Sequence, residues 1–162
     1  MPDQSTDPLL DQGPKDLRQT DSAAVTLYVC ATCRAAGDVS EPRAGARLLA
    51  ALQEAVSAGG HPGITVESVE CLSVCKRPCT VAVASQGRWT YVYGDLDPVA
   101  SAGTILDGVA LYAETPDGIV PWKARPQEFR KGVVARIPPF SPPLPPTFPP
   151  PVAAPPHPDA AE

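Results

Sequence analysis

The stretch "AVTLYVCATCR", residues 24–34, decides how the rest of the chain is read. Its first seven residues form a β-branched and aromatic run, which reads as a strand ending at Cys30. Further on, "ITVESVEC" (64–71) is a second such run, and it too ends on a cysteine, Cys71. Between them, "SEPRAGARLLAALQEAVSAGG" (40–60) reads as a helix, with Ala44, Leu48, Leu52, Ala55 and Val56 on one face. Ser40 is the expected N-cap, with Glu41 and Pro42 in the first turn; Gly59-Gly60 stops the helix. A helix between two strands is the crossover that parallel neighbours require. Parallel neighbours send their C-terminal ends to one edge of the sheet. Cys30 and Cys33 are then expected to converge with Cys71 and Cys75 from the next loop.

The remainder of the core supplies a hairpin and a second helix. "TVAVAS" (80–85) and "RWTYVYG" (88–94) flank Gln86-Gly87, a two-residue turn signal. Trp89, Tyr91 and Tyr93 alternate on one face and read as packing residues. Asp97-Pro98 offers an N-cap followed by proline, opening a helix through "VASAGTILDGVALYAET" (99–115). Its inward residues are expected to be Val99, Leu106, Val109, Ala110 and Ala113. The stretch 116–137 reads as an irregular extension over the surface, with Trp122 and Phe129 as packing anchors. The order is β-α-β-β-β-α. This is an α/β domain of thioredoxin-like arrangement with a mixed four-stranded sheet, covering residues 23–137.

The flanks differ in composition. Residues 1–22 are polar and acidic and read as disordered. Residues 138–162 contain 12 prolines in 25 positions, so they read as an extended, disordered tail. The flanks also carry the net charge of −5: five acids against two bases in 1–22, and Asp159 and Glu162 in the tail. The core is then neutral, with 11 acids and 11 bases. No basic stripe invites nucleic acid. There is no apolar leader and no run of the roughly 20 apolar residues a membrane span needs. The expected location is cytoplasmic, where clustered cysteines serve metal or redox chemistry more than structural disulfides.

All five cysteines fall in the two loops: Cys30 and Cys33, then Cys71, Cys75 and Cys79. Four readings stand side by side. Free cysteines are often simply buried. The C-x2-C pair Cys30–Cys33 follows a strand, as in a thiol–disulfide oxidoreductase. Against this, Cys33 is six residues short of the helix start that would activate it, and Cys71 and Cys75 stay unexplained. Four thiolates in two short-spaced pairs suit zinc. Two pairs also suit a 2Fe–2S cluster, one pair to each iron. Arg34, Lys76 and Arg77 flank the ligands and are placed to offset a cluster's negative charge.

"CLSVCKRPCTVAV", with "VCATCR" upstream and "RWTYVYGDL" downstream, resembles the thioredoxin-like 2Fe–2S ferredoxins. More closely, it resembles a bacterial family of small predicted metal-binding proteins of unassigned function that shares their fold. The resemblance covers roughly residues 25 to 135. It implies Cys71 and Cys75 as the C-x3-C ligands of the second loop and Cys30 as the first ligand. Cys33 lies closer to Cys30 than the corresponding pair does in those ferredoxins. Cys79 is expected to open the third strand as a buried residue; its alternative roles are to replace Cys33 or Cys75 as a ligand or to serve as a reserve or redox-active thiol. Those folds hold a cis-proline before that strand, so a cis Arg77–Pro78 bond is expected.

No general base, nucleophile or phosphate loop is evident. The chain therefore reads as a carrier rather than a stand-alone enzyme. The first expectation is a 2Fe–2S protein of ferredoxin type, passing one electron at a time to a redox partner protein. Zinc or another thiophilic metal held by an accessory protein is the alternative, and a homodimer is left open.

Overall fold

The computed structural model describes residues 24–140. The acidic segment 1–22 and the proline-rich tail beyond Phe140 lie outside the described residues. The expected strands form where their side chains alternate. β1 (Val25–Cys30) turns Val25, Leu27 and Val29 into the core and leaves Thr26 and Tyr28 half-buried. β2 (Ile64–Val69) runs parallel to it in unbroken register, from Val25 opposite Ile64 to Cys30 opposite Val69. α1 (Ala44–Ser57) makes the crossover and buries Ala44, Leu48 and Leu52 against β1 and β2. β3 (Val81–Ala84) pairs antiparallel with β1 on its other side, and β4 (Thr90–Tyr93) pairs antiparallel with β3. α2 (Ala102–Glu114) packs beside α1, with Ile105, Leu106, Val109 and Tyr112 inward. This is the expected mixed α/β sheet of thioredoxin-like arrangement.

The sheet has five strands, not four, in the order β2-β1-β3-β4-β5. The fifth, β5 (Val133–Ile137), comes from the stretch expected to be irregular. "VVARI" is a short β-branched run freed by Gly132 and stopped by Pro138, and it pairs antiparallel with β4. Before it lie a 3-10 turn (Trp122–Ala124) and a short helix, α3 (Gln127–Lys131).

Other expectations are corrected locally. α1 starts at Ala44 and not at Ser40, because Arg43 is still extended at ψ 155° and residues 38–42 are tied into the preceding loop. The Asp97 carboxylate does accept the N–H groups of Val99 and Ala100, but these form a turn ahead of α2 rather than its first residues. Val99 is accordingly 64% exposed instead of inward. The hairpin loop is five residues, 85–89, rather than two, closed by a bond from Arg88 N to Ser85 O. The Arg77–Pro78 bond is trans; the cis bond among the described residues is Glu41–Pro42. Near Pro78 the chain turns instead through Cys79, at φ +56°.

Of the two expected anchors only Phe129 is buried, while Trp122 is 58% exposed beneath the Arg125 guanidinium. The Phe129 ring stacks on Tyr93 with centroids 3.8 Å apart. It fits there because α2 has glycine at 108: a Cβ at that position would lie 2.5 Å from the ring. Overpacking of a core costs about 1–3 kcal/mol. Gly108→Ala should therefore lower the free energy of unfolding by roughly 2 kcal/mol, read from the midpoint of a urea transition. A change within error would mean the ring has room to move.

Candidate metal centre

The parallel register fixes where the cysteine loops begin. Cys30, the last residue of β1, sits opposite Val69, the last of β2. The two loops then touch at once. Ala31 N donates to Val69 O (2.9 Å), the Thr32 hydroxyl donates to Glu70 O (2.6 Å), and Cys30 Sγ lies 3.7 Å from the same carbonyl. Cys71 is the next residue. Cys30 is held from its other side as well, where its N–H donates to Thr80 O at 3.1 Å. Thr80 is buried and follows Cys79 directly.

The first loop is tied to α1 at several points. Gly45, the second residue of α1, lies against the end of β1 so closely that a Cβ would come 2.1 Å from the Cys30 carbonyl oxygen. Its N–H donates to Cys33 O (3.0 Å), satisfying one of the unpaired donors at the helix start. Asp38 accepts from Ser40 N (2.9 Å) and from Arg47 on α1 (2.7 Å). The Ser40 N–H, and then the Arg47 guanidinium, hold the Asp38 carboxyl at about 2. Arg34 donates to the carbonyls of Asp38 and Ser40 and pairs with Glu41.

The second loop is anchored farther along. Arg77 donates to Asp95 (2.8 Å), to Val133 O at the start of β5 (3.0 Å) and to Lys131 O (3.2 Å). Arg34 and Arg77, expected to balance a cluster's charge, are thus engaged in holding the loops. Lys76 remains exposed. At the tip, Ser73 takes a left-handed backbone (φ +59°) and donates its N–H to Cys71 Sγ at 3.2 Å.

The five cysteines are all free thiols, and they divide by exposure. Cys30, Cys33 and Cys79 are buried, whereas Cys71 and Cys75 are exposed. Cys79 sits two residues before β3 as a buried residue, as expected. Burial, and then the neighbouring Cys33, push its thiol up to about 11. Among the described residues, no three His, Cys, Asp or Glu side chains are drawn together closely enough to hold a metal ion. The two cysteine loops start side by side at the ends of β1 and β2. Gly45, Asp38 and the Arg77 clamp were not evident as site residues in the sequence. A Gly in the first turn of a helix that follows a cysteine loop was the one available signal.

Residues 27–139 match the family described as "Protein of unknown function (DUF1636)". The chain belongs to this family. The match spans both cysteine loops and every strand but the first two residues of β1. A comparison with curated proteins finds no match. Among solved structures, the chain is similar to a thioredoxin-like [2Fe-2S] ferredoxin from Aquifex aeolicus, at 16% identity over 70% of this chain and 93% of that one, with a TM-score of 0.48. No helix among the described residues is long and apolar enough to cross a membrane.

Two outcomes follow from the loop geometry. In chelator-treated protein at pH 8, Cys79 should react with iodoacetamide at least roughly tenfold more slowly than Cys71 and Cys75, because only the thiolate attacks. Peptide mass spectrometry reads this, and equal labelling would show that Cys79 is not sheltered. Asp38 titrates below its ordinary 3.8, so its contribution to loop stability is complete above about pH 4 and is lost as pH falls toward 2. An NMR titration of its carboxyl carbon should give a midpoint near 2, and Arg47→Met should raise it.

Proposed function

We propose that this chain is an iron–sulfur protein that holds a 2Fe–2S cluster on Cys30, Cys33, Cys71 and Cys75 and passes single electrons to a partner protein in the cytoplasm. One observation supports this reading above the others. The unbroken parallel register ends β1 and β2 side by side, so that Cys30 Sγ reaches the carbonyl of the residue preceding Cys71. Two thiol pairs leave one sheet edge from adjacent loops, and thiolates in two pairs are the donor set such a cluster takes.

The donor chemistry fits. The buried pair, Cys30 and Cys33, sits on a loop fixed by α1, and the exposed pair, Cys71 and Cys75, on a loop that must draw inward to complete the shell. When bound, the cluster supplies a one-electron couple. The protein's part is to shelter it and tune it. The Ser73 N–H already points at Cys71 Sγ, and hydrogen bonds to ligand sulfurs are among the determinants of reduction potential. The Gly45 contact keeps the first loop against the helix, which limits water on that side.

Anaerobic purification tests the reading. The protein should be red-brown, with two irons and two sulfides per chain and an EPR signal on reduction. Serine at Cys30, Cys33, Cys71 or Cys75 should bleach it, and Cys79→Ser should not. A colourless protein with one zinc would replace the cluster by a structural or trafficked metal. A colourless, metal-free protein with a reducible Cys30–Cys33 bond would make it a thiol oxidoreductase. Cluster loss in Cys79→Ser would overturn the ligand set.

A further inference from the structure

The core is neutral in sum, but the fold sorts its charges. Residues 48–75, which form most of α1, all of β2 and the loop to Cys75, hold three acids and no lysine or arginine. Residues 122–137, which form the 3-10 turn, α3 and β5, hold five bases against one acid, Glu128. The ion pairs among the described residues use Arg34, Arg47 and Arg77, so none of these five bases has a carboxylate partner there.

Two of the bases are stacked on rings instead. The Arg136 guanidinium lies 4.8 Å over the Trp89 ring. Arg125 sits 5.2 Å over the Tyr91 ring and 5.8 Å over that of Trp122, and donates to the Tyr91 hydroxyl at 3.2 Å. Arg136 is opposite Tyr91 in the β4–β5 ladder, so the two stacks adjoin. Stacking occupies the face of a guanidinium and leaves N–H groups at its edge for an anion. Lys123 is exposed next to Trp122, whose own ring is an apolar surface 58% exposed amid this charge. Such a patch suits a peptide that carries carboxylates around an apolar centre.

The chain has a segment of that chemistry. Residues 1–22, outside the described residues, hold five acids against two bases, with no base before Lys15. Within them, Asp7-Pro8-Leu9-Leu10-Asp11 sets two adjacent leucines between two carboxylates. The attachment point is also close. Thr26, near the start of β1, is opposite Ala84 at the end of β3, and Ile137, at the end of β5, is opposite Thr90 at the start of β4. The segment therefore joins β1 at the end of the sheet where β5 finishes, three strand spacings or about 14 Å away. The chain from Asp11 to Ala24 reaches roughly 40 Å when extended.

We propose that the acidic N-terminal segment docks on this patch of its own domain, with Asp7 and Asp11 at the edges of Arg125, Arg136 and Lys123, and Leu9-Leu10 on the exposed ring of Trp122. The tether gives the segment an effective concentration in the millimolar range, so individually weak pairs suffice. Glu54, Glu67 and Glu70 repel it from the opposite side of the domain. Docked, it closes the basic face, and an acidic molecule from solution must displace it to bind there.

Zero-length carbodiimide coupling of the full chain tests this, because it joins a carboxylate to a lysine amine only where the two touch. Lys123 should couple to Asp7 or Asp11 in preference to Lys76 and Lys131. The coupling should lie within one chain, as mixtures of isotope-labelled and unlabelled protein show by mass, and it should fall away at 1 M salt, where the screening length is about 3 Å. By NMR, the Trp122 indole N–H should shift in full-length D7N/D11N and in full-length Leu9→Ser/Leu10→Ser, with circular dichroism unchanged. Coupling spread evenly over the three lysines, or found only between chains, overturns the proposal. So does a Trp122 resonance that neither double variant moves, even where added polyglutamate or a single-stranded oligonucleotide moves it, because the patch then serves another molecule.

Discussion

The fold turns on the parallel pairing of β1 with β2. Parallel strands cannot be joined by a tight turn, so the chain must cross over, and α1 is that crossover. The crossover returns the chain close to where it left. It does so only because position 45 has no side chain to strike the Cys30 carbonyl. Two consequences come together: the strands end level with each other, and the loop between β1 and α1 is pressed against the helix start. A one-residue slip in that pairing would reverse the inward face of β2 and part the two cysteine loops.

Much of this was legible in the sequence, because the signals were strong and local. Alternating β-branched runs gave β1 and β2, and the spacing of Leu48 and Leu52 gave the buried face of α1. The parallel arrangement followed from the order of elements, and with it the start of both cysteine loops side by side at one end of the sheet. What escaped was set by tertiary contacts. β5 is only five residues long and lacks a clear alternation. Its strand character comes from the β4 partner. Asp97-Pro98 looked like the start of a helix and instead caps an isolated turn, which leaves Val99 outside. Trp122 resembled a core residue by type alone, yet its place in a 3-10 turn puts it at the surface under Arg125.

Charged residues near the cysteines illustrate the same divide. In the sequence, Arg34 and Arg77 look like counter-charges for an anionic group. Arg34 in fact binds the carbonyls of Asp38 and Ser40 in its own loop, Arg77 binds those of Lys131 and Val133 at the entrance of β5, and each adds a carboxylate pair. Guanidinium groups suit this work because their several N–H donors lie in one fixed plane.

The Arg77 clamp joins two parts of the chain that are 54 to 56 residues apart. One guanidinium binds the loop carrying Cys75 and Cys79 to the carbonyls at the entrance of β5, and β5 runs straight into the C-terminal extension. β5 is thus tied twice, by its ladder to β4 and by the Arg77 guanidinium, so the second cysteine loop is fastened to the last strand of the sheet as well as to the strands it follows and precedes.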